Sequence, residues 1–462
     1  MPILDALQQE VGPAVSTADE DLEKVRTDRG GWTTPERALA VVRARGIDDV
    51  RAVLRLATAT RTPVVPRGAG TGLAGGAIGT EGAIVLDLAG MDRVLGIDAA
   101  DETAVVQPGV VTDDLARALE PHGLWWPPDP ASRAISTVGG NIATNAGGLL
   151  CAKYGVTRQS VRALKVVLAD GALVDLGRPT VKDVTGYDLA GLMIGSEGTL
   201  GVVVEATLGL RRIDRAPTVT LAATFDSVRE AAAASAAITA TGLRPAALEL
   251  MDAASCAAID ALVAAGGGPE GDVPSLSGRG AFLLVHCDGA SAEADATTAV
   301  RLLEAAGGDV TRAADPAAGE ALLALRRSAH PAFARLGEPL IEDVAVPRSR
   351  LPEMFEAVEE IAARHGLPIP VIAHAGDGNL HPNVVIPPHL ATGGIPDVAW
   401  AAAEDLFRAA MDLGGTLTGE HGVGILKRRW LEDALGEDVL ALGRRVKAAF
   451  DPLGILNPGK AI

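Results

Sequence analysis

Residues 62–76, TPVVPRGAGTGLAGG, decide the prediction of the fold. A short β-branched run passes there into glycines at positions 68, 70, 72, 75 and 76. Glycine lets the main chain approach a ligand closely and turn successive N–H groups toward it, which is one way to hold a diphosphate. The stretch therefore predicts a strand and a phosphate-binding loop, with a purely structural turn as the commoner alternative for a bare glycine loop.

The glycine spacing matches a known nucleotide motif, but its context does not. Gly70, Gly72 and Gly75 fit G-x-G-x-x-G, which in Rossmann folds opens a helix. Here residues 77–88, AIGTEGAIVLDL, contain a turn and then a second apolar strand, so we expect the loop to join two strands without a helix. Residues 454–460 fit G-x-x-x-x-G-K, yet Ala461 replaces the Mg²⁺-binding hydroxyl, so this is not a P-loop.

Composition limits the classes of function. A chain of 462 residues with 48% hydrophobic residues has room for two or three domains. A formal net charge of −18 argues against nucleic acid and anionic membrane surfaces as partners. The three cysteines lack C-x-x-C spacing, which excludes a cysteine-ligated iron–sulfur cluster and favours a reducing compartment. We expect no signal peptide, and we find no apolar run long enough to span a membrane.

Local patterns predict short helices and strands in the first half and an alanine-rich second half. We expect a helix start at residues 33–36, TTPE, a helix at residues 113–120 capped by Thr112, and a hairpin turning at Asp170-Gly171. Beyond residue 213 we expect alternating strands and helices, with an exposed connector at residues 266–280. Further elements are predicted at residues 47–57 (helix), 63–65, 83–88, 103–107 and 202–207 (strands) and 227–241 (helix).

A second candidate ligand surface lies in residues 125–155, WWPPDPASRAISTVGGNIATNAGGLLCAKYG. This block is too rich in Gly, Asn, Ser and Thr for a core and too apolar for a disordered linker. Its amides, hydroxyls and main-chain N–H groups suit a heteroaromatic ring and a diphosphate, although an irregular structural loop remains the alternative.

Two histidine-containing stretches predict a metal site. They are HAGDGNLHPNV, residues 374–384, and TGEHGVG, residues 418–424. Two neutral imidazoles and a carboxylate are normal ligands for a divalent metal such as Zn²⁺. His374 and His381 are seven residues apart, so they can share an ion only if the residues between them form a turn. Ordinary hydrogen-bonded histidines are the alternative.

Four motifs in order carry a family resemblance: PRGAGTGL, STVGGNIATNAGG, GYDLAGLMIGSEGTLGVV and FDPLGILNPGK. They resemble the FAD-linked D-2-hydroxyacid dehydrogenases of the vanillyl-alcohol oxidase fold, which include D-lactate, glycolate and D-2-hydroxyglutarate enzymes. The resemblance implies an α+β protein. It predicts a two-subdomain FAD-binding domain (PCMH-type) at 1–213, a cap domain with an antiparallel sheet and flanking helices at 214–425, and a returning C-terminal segment at 426–462.

The resemblance also implies the cofactor site. The glycine loop contains no His or Cys for covalent attachment, so we expect non-covalent FAD. The expected FAD-binding residues are Pro66, Arg67, Gly68, Gly70, Thr71, Gly72, Gly75, Thr137, Gly139, Gly140, Thr144, Asn145, Gly147, Gly148, Glu197, Gly198, Val202 and Asn457.

The same resemblance assigns catalytic roles. His374, His381 and Glu420 match divalent metal ligands, His421 an acid–base residue and Asn383 a substrate contact. Arg326 matches an arginine that binds the substrate carboxylate, for which a guanidinium is well suited, and Arg327 is the fallback. The implied reaction removes the hydroxyl proton through His421 as hydride leaves to flavin N5.

One departure bears on the substrate. The 2-hydroxyglutarate enzymes carry a hydroxyl residue and a lysine for a second carboxylate, where this chain has His330 and Ile341. We therefore expect a smaller or more apolar acid, such as D-lactate or glycolate, with D-2-hydroxyglutarate as the alternative.

Partners and other classes complete the prediction. Electrons must leave to an external quinone, a cytochrome, an electron-transfer protein or O₂. We expect a cytoplasmic enzyme, or one held at a membrane by its acceptor. A homodimer is the expected assembly. The alternatives from other classes are a flavin-free metallohydrolase using His374, His381 and Glu420, and a nucleotide-binding subunit without catalytic activity.

Overall fold

The computed structural model describes residues 3–269, 273–276, 278–391 and 394–462. Its contacts divide the chain into two compact units. The first unit comprises residues 1–148, 155–213 and 420–462, and the second comprises 149–154 and 214–419. Residues 270–272 and 277 of the predicted connector lie outside the described residues.

The helices follow the chain in sixteen segments of the described residues. They are α1 Ile3–Val11, α2 Asp19–Lys24, α3 Ile47–Thr60, α4 Thr112–Leu119, α5 Val138–Thr144, α6 Cys151–Tyr154, α7 Leu189–Met193, α8 Val228–Ala240, α9 Ala253–Ala264, α10 Ala292–Ala305, α11 Pro316–Arg327, α12 Ala329–Phe333, α13 Leu351–His365, α14 Asp397–Asp412, α15 Leu431–Leu435 and α16 Glu437–Phe450.

The strands alternate with these helices. They are β1 Val15–Ser16, β2 Ala40–Arg43, β3 Val64–Arg67, β4 Ile84–Asp87, β5 Val94–Asp98, β6 Thr103–Val106, β7 Leu124–Trp125, β8 Val161–Val167, β9 Leu173–Gly177, β10 Val202–Gly209, β11 Arg211–Arg212, β12 Val219–Phe225, β13 Ala247–Asp252, β14 Ala281–Cys287, β15 Asp309–Arg312, β16 Glu338–Ile341, β17 Val344–Ala345, β18 Val371–His374 and β19 Asn379–Ile386.

A four-stranded sheet of order β1-β2-β4-β3 carries the glycine loop in the first unit. β3 and β4 are parallel neighbours, with Val64 opposite Ile84. Parallel neighbours are usually connected through a helix. Residues 68–83 contain no helix, so the prediction of a direct strand-to-strand loop is confirmed.

A five-stranded antiparallel sheet of order β5-β6-β10-β8-β9 forms the other part of the first unit. The predicted hairpin is β8–β9, and Gly171 takes a φ of +80° at its turn. One apolar core joins this sheet to the four-stranded one, because Val167 and Val202 pack with Val64 and Leu86.

The helix predicted to start at residues 33–36 is absent, whereas the helix predicted after Thr112 is present but lacks its predicted side-chain cap. The segment after Thr34 forms β2, whose residues Ala40 to Val42 are buried and pair in parallel with β4. Valine at 41 and 42 favours a strand, and the ladder to β4 outweighs the weak helical spacing. α4 begins at Thr112 itself, and the Thr112 hydroxyl donates to Ser136 O instead of capping the helix.

An antiparallel sheet of order β15-β12-β14-β13-β18-β19-β16 builds the second unit, and β17 pairs with β19. Helices flank it, as in the contacts of α10 with β12 and β14. The predicted alanine-rich helix is α8, where Ser227 and Glu230 form a capping box. The predicted α+β class with an antiparallel second domain is confirmed.

Among the residues that the structure describes, no helix is both long and apolar enough to cross a bilayer.

Candidate functional site

A cavity lies in the first unit where three separated segments of the chain meet. It is lined by the end of β3, by α5 and by the residues before and within β10. Eight predicted FAD residues are among its walls: Pro66, Arg67, Gly68, Thr137, Gly139, Gly140, Gly198 and Val202. Leu88, Pro108, Ala143, Met193, Ser196, Gly201 and Val203 complete the lining.

Glycines at this cavity occupy places where a side chain would not fit. A Cβ at Gly68 would clash with the Thr137 hydroxyl, which caps α5 by accepting from the Gly140 N–H at 3.2 Å. A Cβ at Gly139 would stand 2.5 Å from Pro108 Cβ. At these two positions the wall is main chain, which suits close approach of a dinucleotide.

The side chains of Arg67 and Asp28 hold the glycine loop through hydrogen bonds to main-chain groups. Arg67 Nη1 donates to Thr27 O at 3.0 Å and to Ala77 O at 2.8 Å. Asp28 accepts from the Gly75 N–H at 2.8 Å. Burial raises the pKa of Asp28 and lowers that of Arg67. Arg67 Nη1 and the Gly75 N–H are therefore bound to groups inside the protein.

The remaining predicted FAD residues lie outside this lining, and several have structural partners. Asn145 ends α5 with a φ of +53° and accepts from Arg158 N at 2.9 Å. Asn457 Nδ2 donates to Gly76 O at 3.0 Å and to Glu197 O at 2.7 Å. The residues concerned are Gly70, Thr71, Gly72, Gly75, Thr144, Asn145, Gly147, Gly148, Glu197 and Asn457.

The side chain of Glu197 also points to main-chain partners. Its two oxygens accept from Val423 N at 2.8 Å and Gly424 N at 2.9 Å. Burial raises the pKa of this carboxyl, and the two N–H groups oppose that shift. Glu197 therefore contacts the segment that follows His421 within the first unit.

A hairpin brings two predicted metal ligands together in the second unit. β18 ends at His374, which pairs with Asn379, the first residue of β19. His381 lies two residues further along the same face, and the two imidazole centroids are 5.1 Å apart. Gly378, at a φ of +91°, allows the turn that the seven-residue interval needed.

A buried carboxylate ties His374 to the predicted carboxylate clamp. Glu249, on β13, lies opposite His374 and its Oε1 is 2.8 Å from His374 Nδ1. Its Oε2 is 2.7 Å from Arg326 Nη2. Burial acts to raise the pKa of Glu249, but His374 and Arg326 bring it below its ordinary value. A neutral His374 would then have Nε2 as its ligand atom.

Several buried polar atoms of the second unit lack hydrogen-bond partners within the described residues, and two of them belong to predicted substrate contacts. These two are Arg326 Nε and Asn383 Oδ1, on side chains with 5% and 0% exposure. Such atoms are normally satisfied, which indicates a polar ligand. Arg327, the fallback, is half-exposed and bridges Glu320 at 2.6 Å.

Asp343 is a further carboxylate beside His381. Its Oδ1 is 3.8 Å from His381 Nδ1 and accepts from Asn379 Nδ2 at 2.8 Å. Its Oδ2 accepts from Gly419 N at 2.9 Å. Glu420 and His421 follow Gly419 but belong to the first unit, so an ion shared by His374, His381 and Glu420 stays a prediction.

Sequence reasoning missed Asp28, Glu249 and Asp343. Glu249 had a signal: it is the one charged residue inside ALELM, a run that is otherwise apolar and fully buried. Asp343 likewise precedes the apolar run VAV. Asp28 lies in an irregular polar stretch that gives no such contrast.

Two family models match the chain. Residues 38–177 match the FAD binding domain, and residues 215–461 match the C-terminal domain of FAD linked oxidases. A glycolate oxidase subunit GlcD of Bacillus subtilis (strain 168) is 41% identical over 428 residues, which cover 91% of this chain and 88% of that protein. A D-lactate dehydrogenase of Anaerostipes hadrus is 35% identical, over 98% of this chain and 95% of that protein.

A solved structure supports the fold. A p-cresol methylhydroxylase with bound substrate matches with a TM-score of 0.80 at 16% identity, over 99% of this chain and 96% of that one. At this identity the match concerns the fold alone.

Proposed function

Because this chain belongs to the FAD-linked oxidases and is an oxidoreductase, we propose that it oxidises a small D-2-hydroxyacid to the 2-oxoacid with FAD as electron acceptor. The relatives named glycolate oxidase subunit and D-lactate dehydrogenase support acids of this type. The family match argues against the flavin-free metallohydrolase.

The observation that carries the proposal is the state of Arg326. This guanidinium is buried, has one amino group against Glu249, and has an Nε–H without a partner among the described residues. A substrate carboxylate would satisfy that N–H and add a charge-assisted hydrogen bond. Such an anion is what a 2-hydroxyacid offers next to its reacting carbon.

Local polarity favours a small acid. Ile341 lies directly opposite Asn383 across β16 and β19, so the neighbour of this predicted substrate contact is apolar. His330 is half-buried on α12, with its ring edge-on to Phe333. Neither offers the fixed positive charge that a second carboxylate would need, so we propose glycolate or D-lactate before D-2-hydroxyglutarate.

FAD would be held without a covalent bond by the cavity of the first unit, where Gly68, Gly139 and Gly140 permit close main-chain approach. When bound, FAD supplies the hydride acceptor. His421 would take the α-hydroxyl proton as the C–H bond breaks, which balances the two-electron oxidation with one hydride and one proton.

A divalent metal, Zn²⁺ being the first choice, would be held by His374, His381 and Glu420. When bound, it supplies a Lewis acid that lowers the pKa of a hydroxyl group. The fit rests on the second unit, where Glu249 occupies His374 Nδ1 and leaves Nε2 for coordination.

The reduced flavin must pass its electrons to a partner. The Bacillus relative is named a subunit, which favours an electron-transfer protein, with a quinone or cytochrome as alternatives. We propose a cytoplasmic enzyme, held at a membrane only through such an acceptor, and a homodimer as its own assembly.

Anaerobic flavin reduction tests the proposal. Purified protein with bound FAD is mixed with glycolate, D-lactate, D-2-hydroxyglutarate and L-lactate, and flavin absorbance is followed. We expect bleaching by glycolate or D-lactate and at least a hundredfold slower reduction in His421→Ala, in the range of lost general-base catalysis. No bleaching by any 2-hydroxyacid would refute the proposal. Turnover of His421→Ala within about threefold of the parent would refute only the base assignment.

A further inference from the structure

The segment that carries His421 has no regular secondary structure to hold it. Between α14 and the short 3₁₀ turn at residues 428–430, the described chain forms turns and bends. Gly422 and Gly424 take φ angles of +80° and +51°, in the left-handed region that favours glycine. A proton acceptor in such a segment needs other contacts to keep its place.

Glu197 supplies two of these contacts. Its carboxylate accepts from the consecutive N–H groups of Val423 and Gly424, at 2.8 and 2.9 Å. Hydrogen bonds to an ionised acceptor are roughly twice as strong as neutral ones. The next two N–H groups of the segment donate to Ala74 O in the glycine loop, Ile425 N at 2.9 Å and Leu426 N at 3.2 Å.

Glu197 is itself fixed in an unusual conformation. Its φ is +52°, which a residue with a side chain adopts only when its surroundings impose it. Its N–H donates to Ala143 O at 2.8 Å, and its carbonyl accepts from Asn457 Nδ2 at 2.7 Å. A Cβ at Gly422 would stand 2.9 Å from Glu197 Oε1, so the carboxylate and this glycine fit each other closely.

We propose that Glu197 is a positioning residue for His421, which acts by holding the main chain of Val423 and Gly424, and that it does not bind FAD through its carboxylate. This inference rests on the proposed function, because it assumes that His421 is the proton acceptor. It differs from the family expectation, in which Glu197 belongs to the cofactor site.

Glu197→Gln tests the inference with little change of shape. The amide replaces one acceptor oxygen by an NH₂ group that faces an N–H donor, so at least one of the two hydrogen bonds is lost. We expect unchanged FAD content and flavin reduction slowed about 10- to 100-fold, the loss expected for one charge-assisted hydrogen bond. Glu205→Gln is the matched control, because that carboxylate pairs with Lys165 at 2.9 Å and not with the main chain, and it should stay within about twofold.

A double-mutant cycle separates positioning from general damage. If Glu197 acts through His421, Glu197→Gln should cost almost nothing further in the His421→Ala background. An equal slowing in both backgrounds, or loss of FAD from Glu197→Gln, would overturn the inference. If Glu197→Gln does not fold, Gly422→Ala replaces it, because the added methyl group would displace the Glu197 carboxylate. It should give the same pattern of rates in the two backgrounds.

Hydrogen exchange gives a test that needs no substrate. In Glu197→Gln, amides of residues 420–426 should exchange about tenfold faster or more, while those of β8 and β10 stay unchanged. Unchanged exchange in residues 420–426 would refute the positioning role of Glu197 even if the wild-type flavin is reduced. If Glu197→Gln exchanges faster but no 2-hydroxyacid reduces the wild-type flavin, the proposed function is refuted and the positioning role of Glu197 is retained.

Discussion

The two units place their candidate functional groups by opposite means. In the first unit five glycines line the cavity, and the charged side chains of Arg67 and Glu197 bind main-chain partners. In the second unit the candidate groups are buried ionisable side chains that bind one another, as in the contacts of Glu249 with His374 and Arg326.

This difference predicts how each site fails. A main-chain wall fails when a side chain is added to it, because added atoms have no space. A buried network of charges fails when one member is removed, because the partner is left unsatisfied. Variants of the two kinds should therefore separate FAD binding from the binding of substrate and metal.

The largest effect is expected at Arg326. In Arg326→Lys an ammonium replaces the planar guanidinium. The ammonium cannot bind Glu249 and a substrate carboxylate at the same time with the geometry of the two guanidinium N–H groups. We expect kcat/KM for the best D-2-hydroxyacid to fall about a hundredfold, mostly through KM, at unchanged FAD content. Steady-state assays with an artificial electron acceptor measure this.

Arg327→Lys is the control for that experiment. Arg327 is the neighbouring arginine, half-exposed and paired with Glu320, and its replacement should change kcat/KM by less than about twofold. If Arg326→Lys also stays within about threefold of the parent, Arg326 is not the clamp.

The second largest effect is expected for Glu249→Gln, on metal binding. The glutamine removes the carboxylate that orients the His374 ring and raises its basicity, and loss of such a partner typically costs 10- to 100-fold in metal affinity. Titration with Zn²⁺ against a competing chelator measures the change, and the flavin spectrum should stay as in the parent.

The exposed Glu320→Gln controls for the loss of a charge in the same unit, and its Zn²⁺ affinity should be that of the parent. A Glu249→Gln protein that releases FAD while binding Zn²⁺ normally would contradict the division between the two units. A parent protein that binds no Zn²⁺ or other divalent ion would remove the metal from the proposal.

Gly68→Ala should affect only the first unit. Its new methyl group would meet the Thr137 hydroxyl that caps α5, so either the cap or the loop must move. We expect FAD to bind roughly tenfold more weakly, the cost of modest overpacking, with Zn²⁺ affinity unchanged. Release of FAD on dilution, followed by its fluorescence, measures this.

Gly96→Ala is its control, because a Cβ at Gly96 on β5 would contact nothing within 4 Å. If both alanine variants hold FAD as tightly as the parent, the cavity at Gly68 is not where the cofactor approaches the main chain.

The same contrast explains what sequence could predict. A main-chain site leaves a local record, because glycines must recur within a few residues, so the loop at 66–76 and the block at 137–148 were visible. Partners far apart in sequence were not: Asp28 and Gly75 are 47 residues apart, Glu249 and His374 are 125, and Glu197 and Val423 are 226. No spacing rule pairs such residues without the fold.

β2 shows the limit for secondary structure. The apolar residues Ala38, Val41 and Val42 fit a helical face, and Thr34 with Pro35 resembles a helix start. The Thr34 hydroxyl does accept from Glu36 N at 3.2 Å, but it closes only a local turn. Pairing with β4 stabilises residues 40–43 as a strand, and β4 lies more than 40 residues away in sequence.

The smallest effect is expected at Asp252. This residue tests whether a buried carboxyl group of the second unit stays ionised only when a basic side chain lies beside it. Asp252 is the last residue of β13, three positions after Glu249, and caps α9 by accepting from Ser255 N at 2.8 Å. Burial raises the pKa of Asp252 from the ordinary 3.8 to about 6, whereas His374 and Arg326 hold the pKa of Glu249 below its usual range. The folded state thus holds the Asp252 proton more tightly than the unfolded state, so its stabilising contribution is complete below about pH 4 and is lost as the pH rises through 6.

Asp252→Asn keeps a capping oxygen and removes this titration. Relative to the parent, its free energy of unfolding should therefore improve by about 1 kcal/mol between pH 5 and pH 7, as measured by urea unfolding at each pH. Asp315→Asn, an exposed cap of α11, should show no such change with pH. If the two variants behave alike, burial without a cation does not distinguish Asp252, and the contrast with Glu249 loses its physical basis.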